Sequence, residues 1–574
     1  MNFKYLYLVL AALFCGSSSW GQEKYGATIP WTTYEAENMK TTGTVLGPRY
    51  DPYHVETESS GQKCVKLVSR GQFVEFAATV KANAMVIRYS IPDGRRGGGT
   101  TATVSLLKNN NVIGHYKLSS RFSWLYGEYP FVNDPRGGKP RNFYNEIRIK
   151  DLSIAKGDVI RIQFGNERDD DAAYCVIDLA DLEEIAPALT APANSLAVTD
   201  KAFADNVVSD DYTAAFRKCI AAAALAGKTV WIPAGTYKIA GDLTIPANVT
   251  IQGAGMWHSA LVGDENQYTD SNKRVRIKGN GSNIHLADFA IIGKLNYRSD
   301  HEANDGIVGS YGRNSTISRL WIEHTKVGMW IENSENLMIT GCRMRNTMAD
   351  GINFCVGMRH STITNCTARG TGDDCFAIWP AAFEQQQFAP GFNVISHCTA
   401  ELPFLANGSA IYGGESNMIE NCYFKDISQG SAVLISSTFP TDNAENGVDN
   451  NFSGTTVVRN CEITNSGGFD HEWDWRGAIE LCPDRKNISG IRIENVYINN
   501  SFSNGLDIVT KAGPDKTRTL SNTSLHNVTI KSYGLAVNGK WPLFISSNVS
   551  GDLVIKDSAI STVKNESTAF KVSW

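Results

Sequence analysis

Long apolar segments, basic runs and metal-binding spacings are all missing from this sequence. After residue 21 no apolar stretch is long enough to span a bilayer. The 54 lysines and arginines are outnumbered by 59 aspartates and glutamates and form no run, which argues against nucleic acid and membranes as partners. Charged residues make up only 20%, as is typical of a secreted β-protein rather than a helical one.

The first 21 residues have the pattern of a secretory signal peptide. Lys4 precedes the apolar run Tyr5–Phe14, and Ser19-Trp20-Gly21 offers small residues at the two positions that a signal peptidase inspects. We therefore expect residues 1–21 to be removed and the protein to be secreted, to the periplasm or outside the cell. A lipoprotein attached through Cys15 is the weaker alternative, because a bulky phenylalanine precedes that cysteine.

Residues 22–190 predict a β-sandwich of the jelly-roll type. Short runs with alternating apolar residues, such as Gln72–Phe76, Ala84–Tyr89 and Val159–Phe164, are separated by turn-forming clusters. The Ala- and Pro-rich segment Ala186–Asn194 predicts a linker. The sequence thus predicts a separate first domain.

Residues 195–574 have a longer repeat. Strand–turn units recur from Leu243 to Val563 at intervals of about 20–30 residues, which is the signature of a solenoid. The alanine-rich segment Thr213–Ala226 predicts a helix that covers the open end of the solenoid. We therefore predict an all-β protein in which a right-handed parallel β-helix follows the sandwich.

The cysteines support this repeat. Eleven follow the signal segment, and no CxxC or HxxxH spacing occurs among them, so a metal site or a disulfide framework is the weaker alternative. Five share one repeat context and predict a column of small buried side chains: Cys342, Cys366, Cys398, Cys422 and Cys461.

Asp350 and Asp374 occupy equivalent positions of two repeats, 24 residues apart. Because stacked strands lie about 4.8 Å apart, the register places these two side by side, with Asp373 next to both. Three carboxylates this close repel one another and raise at least one pKa, which indicates catalysis or metal binding. The alternative is that they cap backbone amides in turns, which suits a single Asp-Gly better than three converging acids. Continued forward, the same register predicts Gly408 on the next coil.

At these residues the chain resembles glycoside hydrolase family 87, the secreted α-1,3-glucanases and mycodextranases. The likeness covers nearly all of the mature chain and rests on several long strings: Arg88–Asp93, Ser123–Gly127, Trp321–Gly328, Ala349–Phe354, Thr371–Asp374 and Leu405–Gly414. It implies hydrolysis of α-1,3-glucosidic bonds in mutan, nigeran or fungal wall glucan, with inversion of configuration and no catalytic cofactor. The catalytic residues that it implies are Asp350, Asp373 and Asp374.

The resemblance also suggests roles. By analogy with related β-helix hydrolases that carry an Asp-Asp pair, Asp373 is the expected proton donor, while the other two aspartates hold and activate water. Aromatic rings near the site are expected to stack on sugars. The predicted substrate-binding residues are Trp379, Tyr412, Trp473, Asp474 and Trp475. For the first two, plain core packing carries about equal weight.

The first domain resembles carbohydrate-binding modules of families 6 and 35. The likeness rests on Tyr34–Glu37 and Val176–Leu179. It implies a structural calcium ion held by Glu35, Glu37 and Asp178, a chemistry that suits a hard cation. The alternative is that these are exposed acids at strand ends.

Two other functions remain open. One is a different β-helix hydrolase, of the dextranase or polygalacturonase type, and the other is a non-catalytic adhesin that binds glycans on the same fold. The segments beside the triplet, Ala349–Phe354 and Thr371–Pro380, contain no Arg or Lys, so we expect a neutral polysaccharide rather than a uronate. We expect a monomer whose partner is this polysaccharide.

Overall fold

The computed structural model describes residues 25–165, 167, 169–470, 474–513 and 516–574. The predicted signal peptide and Trp473 lie outside these residues. Strands dominate the described part of the chain, and none of its helices has the length and apolar character needed to cross a membrane.

Two antiparallel sheets form the first part of the chain and enclose an apolar core. One sheet contains Trp31–Glu35, Thr44–Leu46, Cys64–Leu67, Ala84–Ser90, Asn145–Ile149 and Cys175–Glu183. The other contains Lys40–Thr41, Phe73–Ala77, Thr101–Lys108, Asn111–Ser119 and Val159–Gly165. A ribbon of Leu125–Tyr126 and Pro140–Arg141 and the 3-10 turns Ala36–Asn38, Ser60–Gln62 and Pro135–Gly137 complete this part. The jelly-roll connectivity and the domain limits stay predictions.

Two α-helices among the described residues, Lys201–Ala204 and Thr213–Ala226, precede the solenoid. The second was predicted, and it ends at Gly227, whose φ of 62° is the left-handed conformation that terminates many helices. Its buried face, which includes Phe216 and Ile220, belongs to the core that runs through the solenoid. The helix therefore extends this core beyond the first coils.

The solenoid is built from parallel strands on two long sheets. The twelve-stranded sheet contains Asp242–Pro246, Arg276–Asn280, Gly306–Arg313, Met329–Glu335, Ile352–Phe354, Phe376–Ile378, Ser409–Ile411, Val433–Ser436, Ile479–Cys482, Leu506–Ile508, Leu543–Ile545 and Val563–Asn565. Each strand pairs with the strand one coil away, which makes this a parallel β-helix. The predicted right-handed sense stays a prediction.

The second sheet is bent, so that most coils contribute two short strands to it. Its 22 strands are Ser195–Ala197, Thr229–Ile232, Gly235–Ile239, Thr250–Gly253, Ser259–Gly263, His285–Ala287, Ala290–Ile292, Thr316–Ser318, Trp321–Glu323, Met338–Thr340, Arg343–Arg345, Thr362–Thr364, Thr367–Arg369, Val394–Ser396, Thr399–Glu401, Met418–Glu420, Tyr423–Ile427, Thr456–Ser466, Ile488–Ser501, Arg518–Ile530, Val549–Lys556 and Phe570–Ser573. The hairpins Asp442–Asn443/Val448–Asp449 and Phe469–Asp470/Asp474–Trp475 and the 3-10 turn Ser271–Lys273 lie outside the long sheets.

Stacked side chains fix the register of the coils. The five repeat cysteines lie in the solenoid core, and every described cysteine is buried and unbridged, which confirms the predicted thiol column. Asparagines at the bends adopt positive φ, a conformation that Asn tolerates better than most residues. Their amides bond from coil to coil, with Asn527 Nδ2 donating to Asn495 Oδ1 (2.8 Å) and Asn495 Nδ2 to Asn460 Oδ1 (3.1 Å). Both columns therefore stabilise one alignment of the coils.

Buried ion pairs join the first part of the chain to the solenoid. Arg343 donates two hydrogen bonds to the carboxylate of Glu183, each 2.7 Å long. Arg369 donates to Glu146 at 2.6 Å and to Asp181 at 2.8 Å. All five side chains are buried. Because a buried charge without its partner is costly, the two parts stabilise each other.

Candidate active site

A cleft of about 890 Å³ lies along the twelve-stranded sheet. Its lining includes all three predicted catalytic aspartates as well as Trp379 and Tyr412. The first part of the chain contributes Tyr129 and Phe131 to the same lining. The cleft is therefore built by both parts of the protein.

The strand register brings the aspartates together as predicted. Ile352 pairs with Phe376 on the next coil, so the residues two positions earlier, Asp350 and Asp374, are neighbours. Each of the three aspartates offers a carboxylate oxygen that lies within 4.8 Å of the other two. Asp373 lies in the same group because it immediately precedes Asp374 in the sequence, and not because it is aligned with a residue of the neighbouring coil.

Asp374 is held by neutral donors. Its Oδ1 accepts hydrogen bonds from the backbone N–H of Asn407 (3.1 Å) and from Asn407 Nδ2 (2.8 Å). Its Oδ2 accepts one from the Tyr412 hydroxyl at 2.7 Å. Burial and the neighbouring Asp373 raise the pKa of Asp374 to about 7. This carboxyl can therefore exchange a proton near neutral pH.

Asp350 is buried beside the other two carboxyls of the triplet. Burial first, and then the charges of Asp373 and Asp374, raise the pKa of Asp350 well above its ordinary value. The neighbouring Arg298 and the side chain of Asn353 oppose this rise in the pKa of Asp350. The triplet therefore retains a proton near neutral pH, and the coupled carboxyls share it.

Asp373 differs from its neighbours in exposure and in charge environment. Its side chain is 28% exposed and faces the cleft, whereas the other two are buried. Its Oδ1 accepts the Asp374 N–H at 3.0 Å, and its Oδ2 accepts a hydrogen bond from Arg298 Nη2 at 2.5 Å. Asp373 is therefore the carboxyl that a bound sugar reaches most directly.

Arg298 corrects one expectation from the sequence. The segments that flank the triplet contain no basic residue, yet a loop 75 residues earlier places this guanidinium on Asp373. Arg276, Lys278, Lys326 and Arg476 also line the cleft. Basic groups therefore lie at the site although the segments that flank the triplet contain none.

The coil after the triplet corrects another prediction. Phe376 pairs with Ser409, so the neighbour of Asp374 is Asn407 and not Gly408. The loop between strands Phe376–Ile378 and Val394–Ser396 makes this coil irregular in length. The residue count therefore ran one position past Asn407, the residue that donates to Asp374.

Aromatic rings form one wall of the cleft. The ring of Trp379 lies 5.9 Å from Trp330, 5.8 Å from Phe383 and 5.7 Å from Phe439, measured between centroids. Phe383 and Phe439 are 53% and 48% exposed, which is unusual for phenylalanine. We call these four residues the aromatic wall. Trp379 was predicted here, whereas the other three carried no repeat or motif signal.

The hairpin after residue 468 is only partly placed as predicted. Asp474 is exposed, and Trp475 packs its ring 5.8 Å from Phe469. Neither belongs to the cleft lining, which instead includes Asp470 and Arg476 of the same segment. Arg476, which follows the strand Asp474–Trp475, lines the cleft, whereas the Trp475 ring packs against Phe469. The predicted role of Asp474 and Trp475 in substrate binding stays a prediction.

The predicted calcium residues interact electrostatically in the first part of the chain. The pKa of Glu35 and that of Glu37 are raised to about 7, and that of Asp178 to about 6, by burial above all. Asp178 forms a salt bridge with Arg88, and Glu35 lies 3.2 Å from Lys425 Nζ. Among the described atoms, Glu35 Oε2 and Glu37 Oε2 are buried without a hydrogen-bond partner. Among the described residues these three acids do not form a group with carboxylate oxygens within 4.8 Å of one another, and Arg88 and Lys425 lie beside them. The calcium site stays a prediction.

Comparisons with known proteins cover both parts of the chain. The sequence profile of the α-1,3-glucanase catalytic domain D1 matches residues 28–185, and that of the α-1,3-glucanase catalytic domain D2 matches residues 209–571. No curated protein sequence matches the chain. The resemblance of the first part to carbohydrate-binding modules stays a prediction.

Solved structures extend this similarity. The catalytic unit of a thermostable GH87 α-1,3-glucanase from Streptomyces thermodiastaticus strain HF3-3 is 28% identical over 96% of each chain, with a TM-score of 0.81. The catalytic domain of a GH87 α-1,3-glucanase in complex with nigerose is 27% identical over 96% of this chain and 99% of that chain, with a TM-score of 0.77. The Agl-KA catalytic domain, 24% identical over 97% of this chain and 100% of that chain with a TM-score of 0.84, shares the fold. Since the D2 profile alone spans more than half of the sequence, the chain belongs to the α-1,3-glucanase catalytic-domain family of glycoside hydrolase family 87.

Proposed function

We propose that this protein is a secreted hydrolase of α-1,3-glucosidic bonds in α-glucan, such as mutan, nigeran or fungal wall glucan. The observation that carries the proposal is the aspartate triplet, whose oxygens lie within 4.8 Å of one another in a cleft with an aromatic wall. Relatives of this family crystallised with nigerose and with tetrasaccharides support the choice of substrate.

In the proposed reaction, Asp373 donates a proton to the glycosidic oxygen. Its exposure to the cleft supports this role, since the donor must reach the leaving group. Asp350 and Asp374 orient and deprotonate the attacking water. The pKa of about 7 at Asp374 suits a group that accepts and returns a proton near neutral pH.

We infer inversion of configuration from the family resemblance. The triplet oxygens lie within 4.8 Å, which is shorter than the separation of about 6.5–9.5 Å at which two carboxyl groups usually leave room for water. Direct attack by one carboxylate, with retention, is therefore the competing mechanism. The anomer formed first distinguishes the two.

The cleft favours an uncharged polysaccharide. Nine carboxylates and five Arg or Lys side chains line it, so its field disfavours uronates and sulfated sugars. Four of these cations pair with acids of the cleft: Arg276 with Asp242, Arg298 with Asp373 and Asp300, Lys326 with Asp300, and Arg476 with Asp470. The aromatic wall offers apolar faces to pyranose rings. The buried Asn353 Oδ1, which has no hydrogen-bond partner among the described residues, can accept one from a sugar hydroxyl.

A substrate panel tests this proposal. We expect the release of reducing ends from α-1,3-glucan and nigeran to exceed release from dextran, starch, polygalacturonate and carrageenan. The Asp373→Asn variant, assayed in parallel, controls for a contaminating hydrolase. Faster cleavage of dextran or polygalacturonate than of both α-1,3-containing glucans would overturn the substrate assignment. Binding of glucan without cleavage of any polymer would favour the glycan-binding adhesin.

A further inference from the structure

We propose that Arg298 is a positioning residue for Asp373 and that a loop from the first part of the chain holds it there, so that both parts complete the catalytic triplet. The inference rests on the proposed catalytic role of the triplet. It concerns a residue that has no repeat position and no motif.

The guanidinium of Arg298 uses three nitrogens to fix its place. Nη1 donates to the carbonyl of Gly372 at 2.6 Å, and Nη2 donates to Asp373 Oδ2 at 2.5 Å. Nε donates to Asp300 Oδ1 at 3.2 Å. The side chain is 7% exposed. A planar, buried guanidinium with these bonds has little freedom, so it constrains the carboxylate that it contacts.

The first part of the chain anchors the loop that carries Arg298. The backbone N–H of Arg298 donates to the carbonyl of Phe131 at 3.1 Å, and the backbone N–H of Asp300 donates to the Tyr129 hydroxyl at 2.6 Å. The Tyr129 ring lies 5.8 Å from the guanidinium carbon. The position of Arg298 thus depends on residues more than 160 positions earlier in the sequence.

The solenoid holds the same loop from the other side. Lys326 Nζ donates to the carbonyl of Glu302 at 2.7 Å and lies 3.9 Å from Asp300. This loop is therefore clamped between the two parts of the chain.

Removal of Arg298 leaves Asp373 with only the Asp374 N–H at Oδ1 and no described hydrogen bond at Oδ2. The charged and titratable groups that face this carboxyl are Arg298 itself, Asp350, Asp374, Tyr412 and, behind the guanidinium, Asp300. Since all but the arginine are acidic, its loss removes this positive charge from among the acids and frees the carboxyl group to rotate. A merely structural arginine would not change the pH dependence of the reaction.

The test compares Arg298→Gln and Arg298→Lys with the wild type, on whichever glycan the wild type cleaves. For Arg298→Gln we expect kcat to fall about 10- to 100-fold with KM changed less than about threefold, because the donor is misplaced rather than the substrate released. The basic limb of the pH profile should move to higher pH. Arg298→Lys keeps the positive charge but not the planar guanidinium with its several donors. Its kcat and the position of its basic limb should therefore lie between those of Arg298→Gln and the wild type.

Two further variants keep the test sharp. Tyr129→Phe removes only the hydroxyl that accepts from Asp300 and should lower kcat less than Arg298→Gln does. Arg459→Gln breaks a pair with Glu420 on the sheet remote from the cleft and should keep wild-type kinetics. Melting curves of the full chain supply an activity-independent readout. The destabilisation caused by Arg298→Gln should grow as the pH rises. The salt bridges that this variant lacks form only with ionised carboxylates, so at low pH the wild type has little to lose.

The outcomes separate the inference from the proposed function. Wild-type kcat in Arg298→Gln, or lowered kcat with unmoved pH limbs and a pH-independent loss of Tm, would overturn the positioning role. A shift of the acidic limb in place of the basic one would support positioning and overturn the donor role of Asp373. Failure of the substrate panel to select α-1,3-glucan leaves these comparisons intact, because they are ratios to the wild type.

Discussion

At the scale of the residue, the three aspartates share one site but have different partners. Asp374 is bonded to amide and hydroxyl donors, Asp350 is buried beside Asn353, and Asp373 is paired with a cation and open to the cleft. Different environments for neighbouring carboxyls are how an active site separates acid from base. The proposed roles follow from these differences.

Replacement of the donor should abolish hydrolysis. We expect Asp373→Asn to lower kcat by at least about a hundredfold, since an amide of the same shape cannot donate the proton. Reducing-end assays measure the rate, and melting curves check the fold. The matched control is Asp557→Asn, an exposed carboxyl that should show wild-type activity. Retention of a tenth of the wild-type rate by Asp373→Asn would remove this residue from the donor role.

Asp374 should make stability depend on pH. Its pKa rises from 3.8 to about 7 on folding, so the folded state binds a proton that the unfolded state has lost between these values. The resulting stability is complete below about pH 4 and is lost as the pH rises through about 7. We expect Asp374→Asn, which cannot ionise, to melt on the order of 2 °C above the wild type at pH 8 and no higher at pH 4. A melting difference independent of pH would contradict the perturbed carboxyl.

The sequence predicted the triplet because spacing within a repeat determines neighbours in a solenoid. The sequence alone was therefore enough to predict that Asp350 and Asp374 are neighbours, as the strand register shows. Arg298 could not be found in this way, because it lies on a loop outside the repeat and its contact with Asp373 depends on how that loop folds back. Phe383 and Phe439 were not predicted for the same reason, since they also lie on loops outside the repeat. Asn407 was missed because the predicted register pointed to the next residue, Gly408.

At the scale of the element, stacked columns determine the alignment of the coils. The Asn column at the bends satisfies amides that a turn would otherwise leave to solvent, and Asn tolerates the positive φ found there. The predicted strands and the cap helix agree with the structure where periodicity was strong. The bent sheet, with two short strands in most coils, was harder to predict from the sequence. Strands of three residues are too short to show an alternation of apolar and polar residues.

Substitutions at Asn495 separate the two contributions of the column. Its φ is 54°, and it bonds to Asn460 and Asn527. We expect Asn495→Ala to cost about 2 kcal/mol, from two lost hydrogen bonds and a strained backbone. Asn495→Gly loses the bonds but not the conformation, so it should be less destabilising than alanine. Denaturant titration measures both, and a glycine variant less stable than the alanine variant would contradict this account.

At the scale of the whole molecule, the two parts of the chain are coupled by buried charges and by the cleft. Arg369 bridges Glu146 and Asp181, and Arg343 binds Glu183. The segment predicted as a linker also lies against the solenoid, where the Leu189 N–H donates to the Ala254 carbonyl at 2.9 Å. Composition alone could not show this docking, because alanine and proline have no fixed partner. We expect the full chain to unfold with its two parts coupled.

Calcium removal tests the remaining metal prediction. If Glu35, Glu37 and Asp178 hold an ion, chelation should lower the Tm of the full chain, since an ion that binds only the folded state stabilises it by mass action. Added calcium should restore the original curve, while magnesium provides the control for ionic strength. An unchanged melting curve in EDTA would mean that Arg88 and Lys425 alone balance these acids.

The most direct test of the central claim is proton NMR of the first products from a soluble α-1,3-linked gluco-oligosaccharide. The account predicts cleavage in which the β-anomer of the new reducing end appears first and then mutarotates, because water activated by Asp350 and Asp374 attacks opposite the leaving group. The Asp373→Asn variant should give no signal on the same time scale. Initial formation of the α-anomer would contradict water activation and indicate a covalent intermediate, and an oligosaccharide left intact by the wild type would contradict the hydrolase itself.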